Sequence, residues 1–151
     1  MRLPLIKFFL ITLCLLSLSG QAQALNIYDV RLGVYPDKTR IVLDLSSPTP
    51  FKVFTLSNPH RLVIDLPHFK WQATPPSKNN NAGITSFRKG RLNNTTSRLV
   101  FELAEPVTVE SSFALPKNAS RSDRLVIDFT SSAHSKPGRQ VAARESLSER
   151  T

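Results

Sequence analysis

Four acids stand at matched places in this 151-residue chain: Asp44, Asp65, Glu102 and Asp128. Each follows an arginine by four positions, the arginines being Arg40, Arg61, Arg98 and Arg124. A pair of carboxylates converging on one cleft is what glycoside hydrolysis requires. In an extended segment, however, residues an even number apart share one face. Arginine and acid therefore share one face with a valine between them, an arrangement that favours pairing across neighbouring strands over acid–base chemistry. The three histidines offer no better site. His60 lies in a turn composition, His68 follows an apolar stretch, and His134 lies in a polar C-terminal segment. No two have His-x-x-x-His spacing, and no cysteine stands ready to complete a zinc site. They read as exposed loop histidines. There is no Gly-x-Ser-x-Gly elbow and no phosphate-cradling loop, and five glycines in all leave little room for one. The sequence predicts a chain without catalytic residues, metal or cofactor.

The elements that carry the arginine–acid pairs are strands, and they are duplicated. Thr39-Arg-Ile-Val-Leu-Asp-Leu45 recurs as Ser97-Arg-Leu-Val-Phe-Glu-Leu103, an offset of 58, and Pro48 falls on Pro106. Upstream, Ile27, Val30, Arg31 and Gly33 match Ile84, Phe87, Arg88 and Gly90 at an offset of 57. Downstream, Arg61-Leu-Val-Ile-Asp-Leu66 matches Arg124-Leu-Val-Ile-Asp-Phe129 at 63. One extra turn residue accounts for the first drift and a longer loop at 116–123 for the second, since loops absorb insertions. Each half reads as four short strands: 27–34, 39–46, 51–56 and 61–66, then 84–90, 97–104, 107–114 and 124–130. Turn compositions separate them, such as Tyr35-Pro-Asp-Lys38 and Arg91-Leu-Asn-Asn94. Residues 71–83 read as a polar connector between the halves.

Within the strands the alternation is strict. Ile41, Leu43 and Leu45 point one way, and Arg40, Val42 and Asp44 the other. The split recurs at Leu62, Ile64 and Leu66, at Leu99, Phe101 and Leu103, and at Leu125, Ile127 and Phe129. Four apolar faces must be buried against one another, which predicts an all-β fold. Its form is two symmetric antiparallel β-sheets packed as a sandwich, built from an internal duplication. Each buried side chain contributes roughly 1.5–3 kcal/mol. These residues suffice for a core without a disulfide.

The ends have other compositions. Arg2 and Lys7 precede an apolar run at 8–18, and Ala22-Gln23-Ala24 resembles a signal-peptidase site. The run is short of the roughly 20 residues that span a bilayer. Residues 1–24 therefore read as a signal peptide removed on export, leaving no stable membrane insertion. Cys14, the single cysteine, would leave with them in a poor lipoprotein context. So would Arg2 and Lys7, lowering the formal charge from +9 to +7. A basic exported domain can adhere to an anionic polymer; export argues against nucleic acid as that polymer. Residues 25–130 form the domain, with halves at about 25–70 and 83–130. Residues 131–151 read as a flexible tail or linker.

Taken together, Val30-Arg31, Thr39-Arg-Ile-Val-Leu-Asp-Leu45, Pro50-Phe51, Phe54-Thr-Leu56, Asn58-Pro59 and His60-Arg-Leu-Val-Ile-Asp-Leu-Pro67 resemble the AMIN domain. The resemblance covers about 25–130. AMIN domains are N-terminal cell-wall-targeting modules of periplasmic N-acetylmuramoyl-L-alanine amidases, and occur in secretins of type IV pilus machines. The resemblance implies a periplasmic, non-catalytic module for peptidoglycan binding and septal targeting, serving wall turnover and cell separation. In the amidases a linker and a zinc-dependent catalytic domain follow. Their ligand set has no match here, so the hydrolase activity is not carried over. A truncated amidase and a stand-alone module both fit.

Peptidoglycan stems carry carboxylates, which arginine clamps with two parallel hydrogen bonds. The candidate contacts lie off the core faces: Arg31 and Arg88, equivalent in the repeat, then Lys89 and Arg91. Trp71 is suited to stacking on a sugar ring or, alternatively, to packing at a sheet edge. The other reading is a docking module for a division or pilus-secretin component, which would add a strand to an exposed edge.

Overall fold

The computed structural model describes residues 24–76, 82–118 and 122–131. The expected signal peptide and most of the expected tail, His134 included, lie outside the described residues. Nine strands run in chain order: β1 (Leu25–Val34), β2 (Thr39–Leu45), β3 (Lys52–Leu56), β4 (Arg61–Pro67), β5 (Phe69–Trp71), β6 (Ile84–Arg91), β7 (Thr96–Leu103), β8 (Val107–Leu115) and β9 (Asp123–Ser131). They make two sheets, β5-β1-β2-β9-β8 and β3-β4-β7-β6. The repeat equates β1–β4 with β6–β9. Each sheet therefore takes a hairpin from either half, and the order β1-β2-β9-β8 is repeated as β6-β7-β4-β3. The bulges are repeated too: register shifts between Ile27 and Asp29 on β1, and between Ile84 and Ser86 on β6. A bulge flips the alternation once. It lets Ile27 and Ile84 enter the core while Arg31 and Arg88 face outward.

All twelve apolar residues singled out above are in the core. None is more than 6% exposed, and Leu25, Ile27 and Ile84 join them. The strand alternation is visible directly in β2, where buried and half-buried residues alternate without a break. Two outward valines, Val63 and Val126, are buried as well. Phe54 and Phe113, equivalent in the repeat, stand directly opposite them on the edge strands β3 and β8.

One strand departs from the sequence reading. Trp71, expected to open the connector, instead ends a further strand, β5 (Phe69–Trp71), which pairs parallel to β1, with Leu25 opposite Phe69 and Ile27 opposite Trp71. It is the parallel exception in otherwise antiparallel sheets. Its side chains close one long side of the sandwich. Phe69, Trp71, Phe87 and Phe101 follow one another at ring-centroid separations of 6.2, 5.3 and 5.0 Å. Tilted rings at these distances attract beyond the area they bury, and they tie the edge strands β5 and β6 to the central strand β7.

Candidate binding surface

The arginine–acid pairs form, and they do so across the seam between halves. Arg40 on β2 grips Asp128 on β9 with Nε and Nη2, at 2.6 and 2.7 Å. Its repeat counterpart, Arg98 on β7, grips Asp65 on β4 at 2.7 and 2.9 Å. Lys38 adds a third cationic contact to Asp128 at 3.0 Å. Asp128 is held down to a pKa of about 2, chiefly by the hydrogen bonds from Arg40, against the opposing effect of burial. The same hydrogen bonds push Arg40 above its ordinary value, and Asp65 does this for Arg98. These carboxylates are structural anions, locked to strand neighbours.

The other two arginines of the motif behave differently. Arg61 and Arg124 lie opposite Glu102 and Asp44 in register, yet those acids are occupied. Arg31 takes Asp44 at 2.9 Å, and Arg88 takes Glu102 at 2.5 Å. Arg61 instead donates to the Pro59 carbonyl, and Nε of Arg124 is buried with no partner among the described residues. The expected cross-strand pairing thus holds for Arg40 and Arg98 and fails for Arg61 and Arg124. The reason is competition: an arginine on the strand at the other side, β1 or β6, takes each acid. His68 also departs from expectation. It is half-buried rather than exposed, with Nδ1 2.8 Å from Ser97 Oγ.

The five candidate contact residues do not form one cluster. Arg31 faces outward from the β1–β2 sheet, and Arg88 faces outward from the other sheet, so they lie on opposite sides of the molecule. Trp71 and Lys89 do come together, with the Lys89 ammonium 5.6 Å from the indole centroid. Arg91 follows on the same side of β6, exposed. Lys70, adjacent to Trp71 on β5, is also exposed. The edge formed by β5 and β6 is therefore basic and aromatic. Among the described residues, Lys70, Lys89 and Arg91 have no acidic partner within ion-pair distance. The repeat makes the cations conspicuous. Lys89 and Arg91 stand where the first half has Leu32, which packs against the core, and Val34, which is exposed. That comparison was available in the sequence at the offset of 57. What it lacked was β5, which supplies the aromatic floor. No three of His, Cys, Asp and Glu gather in metal-holding geometry among the described residues. No helix there is long and apolar enough to cross a membrane.

The sequence profile of the AMIN domain matches residues 29–129, two thirds of the chain. This chain belongs to the AMIN domain family. The matched span starts in β1 and ends in β9, so it takes in both halves of the duplication. Among curated relatives is the N-acetylmuramoyl-L-alanine amidase AmiC of Neisseria meningitidis serogroup B, 34% identical over 96 residues. That alignment covers 60% of this chain and 23% of the relative. AmiC of Escherichia coli O6:H1 is 31% identical over 122 residues, 76% of this chain and 29% of the relative. The AMIN chain thus spans less than a third of either amidase.

Proposed function

We propose that this AMIN domain is a non-catalytic peptidoglycan-binding module of the periplasm that directs wall-remodelling machinery to its substrate, including at the division septum. One observation carries the reading: the second half of the duplication replaces Leu32, which packs against the core, and the exposed Val34 with Lys89 and Arg91, beside Trp71. An aromatic face flanked by cations suits a polymer of sugar rings bearing carboxylated peptides. The names of the amidase relatives support the same class of target. Lys89, Arg91 and Trp71 form the proposed contact, with Arg88 on the adjoining outer face of β6. Arg31 stands on the opposite face, outside any single contact that includes this edge.

Charged side chains on an edge strand also block sheet-to-sheet association. Binding and association state are therefore measured together. Co-sedimentation with purified, protein-free sacculi at physiological salt tests the proposal. Retention of the wild type as a monomer, and its loss in Lys89→Glu/Arg91→Glu, is the expected result. A wild-type chain that stays in the supernatant overturns it and favours docking to a division or secretin component through an edge strand such as β8.

A further inference from the structure

The duplication provides an internal comparison of the two outer faces, and they differ at their equivalent glycines. Gly33 on β1 and Gly90 on β6 are equivalent, and each lies opposite the arginine of an arginine–aspartate pair, Arg40 and Arg98 respectively. On the first sheet the platform is covered by the chain itself. The Tyr35 ring folds back over Gly33 so closely that a Cβ there would stand 2.9 Å from Cε2 and 3.3 Å from the hydroxyl. The same ring faces the Arg40 guanidinium at 5.9 Å, and Lys38 closes on Asp128. On the second sheet the Arg98 guanidinium packs against Phe54 instead, and among the described residues nothing lies over the glycine. A Cβ at Gly90 would meet no atom within 4 Å. Leu92 replaces Tyr35, and the turn is one residue longer: Tyr35 N–H donates to the Lys38 carbonyl, but Leu92 N–H reaches the Thr96 carbonyl.

We propose that the open platform of Gly90, Arg98 and Asp65 is a subsite for one pyranose ring of the wall glycan, in the place that Tyr35 fills on the other face. This rests on the peptidoglycan reading above and names the part of the polymer recognised. The ring size follows from the occupant on the first sheet, a six-membered ring with a hydroxyl edge. A sugar, with an apolar C–H face and hydroxyl edges, fits surroundings that mix apolar Pro50, Leu66 and Pro67 with polar Asn93, Thr95 and Thr96. A groove of about 630 Å³ adjoins the platform, running from Lys52 to Leu92 and walled by Asn93, Thr95 and Thr96. A pyranose lays its C–H face on the glycine backbone and turns its hydroxyls to that wall. Phe54 backs the Arg98 guanidinium at 5.2 Å, and the Lys52 ammonium stands 5.4 Å from the same ring. Lys52 has no acidic partner within ion-pair distance among the described residues, so its charge is available to a carboxylate on the sugar.

The test is amide chemical-shift mapping of the purified protein, titrated with muramidase-released disaccharide peptides and with an uncharged N-acetylglucosamine tetramer. Both probes are expected to shift Gly90, Leu92 and Arg98. Gly90→Val fills the shelf with a residue that strands favour. It is expected to weaken binding of the disaccharide peptide at least tenfold while leaving the melting temperature unchanged or higher. Wild-type affinity in Gly90→Val, or shifts confined to residues far from Gly90, overturns the subsite. If Gly90→Val binds as the wild type does, and the wild type still sediments with sacculi, only the subsite falls. If the wild type does not sediment with sacculi, the underlying reading falls first.

Discussion

Arg40 Nε and Asp128 Oδ1 lie 2.6 Å apart across the β2–β9 seam, and so join a strand of the first half to a strand of the second. Arg98 and Asp65 do the same across β7 and β4. The halves are interlocked rather than stacked, because each contributes one hairpin to each sheet. Cut apart, the second half would hold only two-stranded ribbons, and the first a β3-β4 ribbon and β1-β2 with the three-residue β5, none with the other half's strands to complete its sheet. Two-stranded ribbons are marginal in water. Residues 25–76 and 82–131 made separately are expected to show no cooperative thermal transition by circular dichroism. A cooperative transition in either half alone would show that the seam is not required.

The seam also sets a pH dependence. Asp128 has its pKa lowered to about 2 from 3.8. A carboxylate depressed in the folded state stabilises above its unfolded value, and the contribution is lost as pH falls through the folded one. The window is therefore about pH 4 down to about pH 2, and the contribution is on the order of 2 kcal/mol. Asp128→Asn is expected to be less stable than the wild type by about that amount at pH 7. The difference should shrink across the same window in denaturant unfolding curves. A gap that stays constant down to pH 2 would mean that Asp128 contributes by packing and not by charge.

The two equivalent glycines should respond with opposite sign. Glycine inside a strand costs roughly 0.5–1 kcal/mol relative to alanine through backbone entropy. At Gly90 an added methyl meets open space, so Gly90→Ala is expected to raise stability by a few tenths of a kcal/mol or more. At Gly33 the methyl displaces Tyr35, which then loses its contact with the glycine and with Arg40. Gly33→Ala is expected to be neutral to destabilising by about 1 kcal/mol. Paired thermal melts decide this, and equal shifts would remove the asymmetry between the faces.

Much of this was legible in the chain. Strict alternation at 39–45 and 97–103 fixed which residues are buried, because period two admits one inward face per strand. The repeat fixed the equivalence of Arg40 with Arg98 and of Arg31 with Arg88. Alternation does not say which strand lies beside which, so the partners Asp128 and Asp65 emerge only from the sheet order. Phe69–Trp71 was opaque for another reason. Three residues are too few to show a period, and their parallel partner Leu25–Ile27 lies more than forty positions away. The substitution of Tyr35 by Leu92 was present at the offset of 57. Its meaning depends on where the tyrosine ring goes, and sequence spacing does not give that.

The central claim is that the β5–β6 edge contacts the wall, and Trp71 reports on it directly because it is the only tryptophan. Its fluorescence is to be followed during titration with muramidase-solubilised peptidoglycan. The account predicts a saturable change in Trp71 emission that Lys89→Glu/Arg91→Glu abolishes. Emission that stays constant while the protein still sediments with sacculi would contradict it, and would move the contact away from this edge.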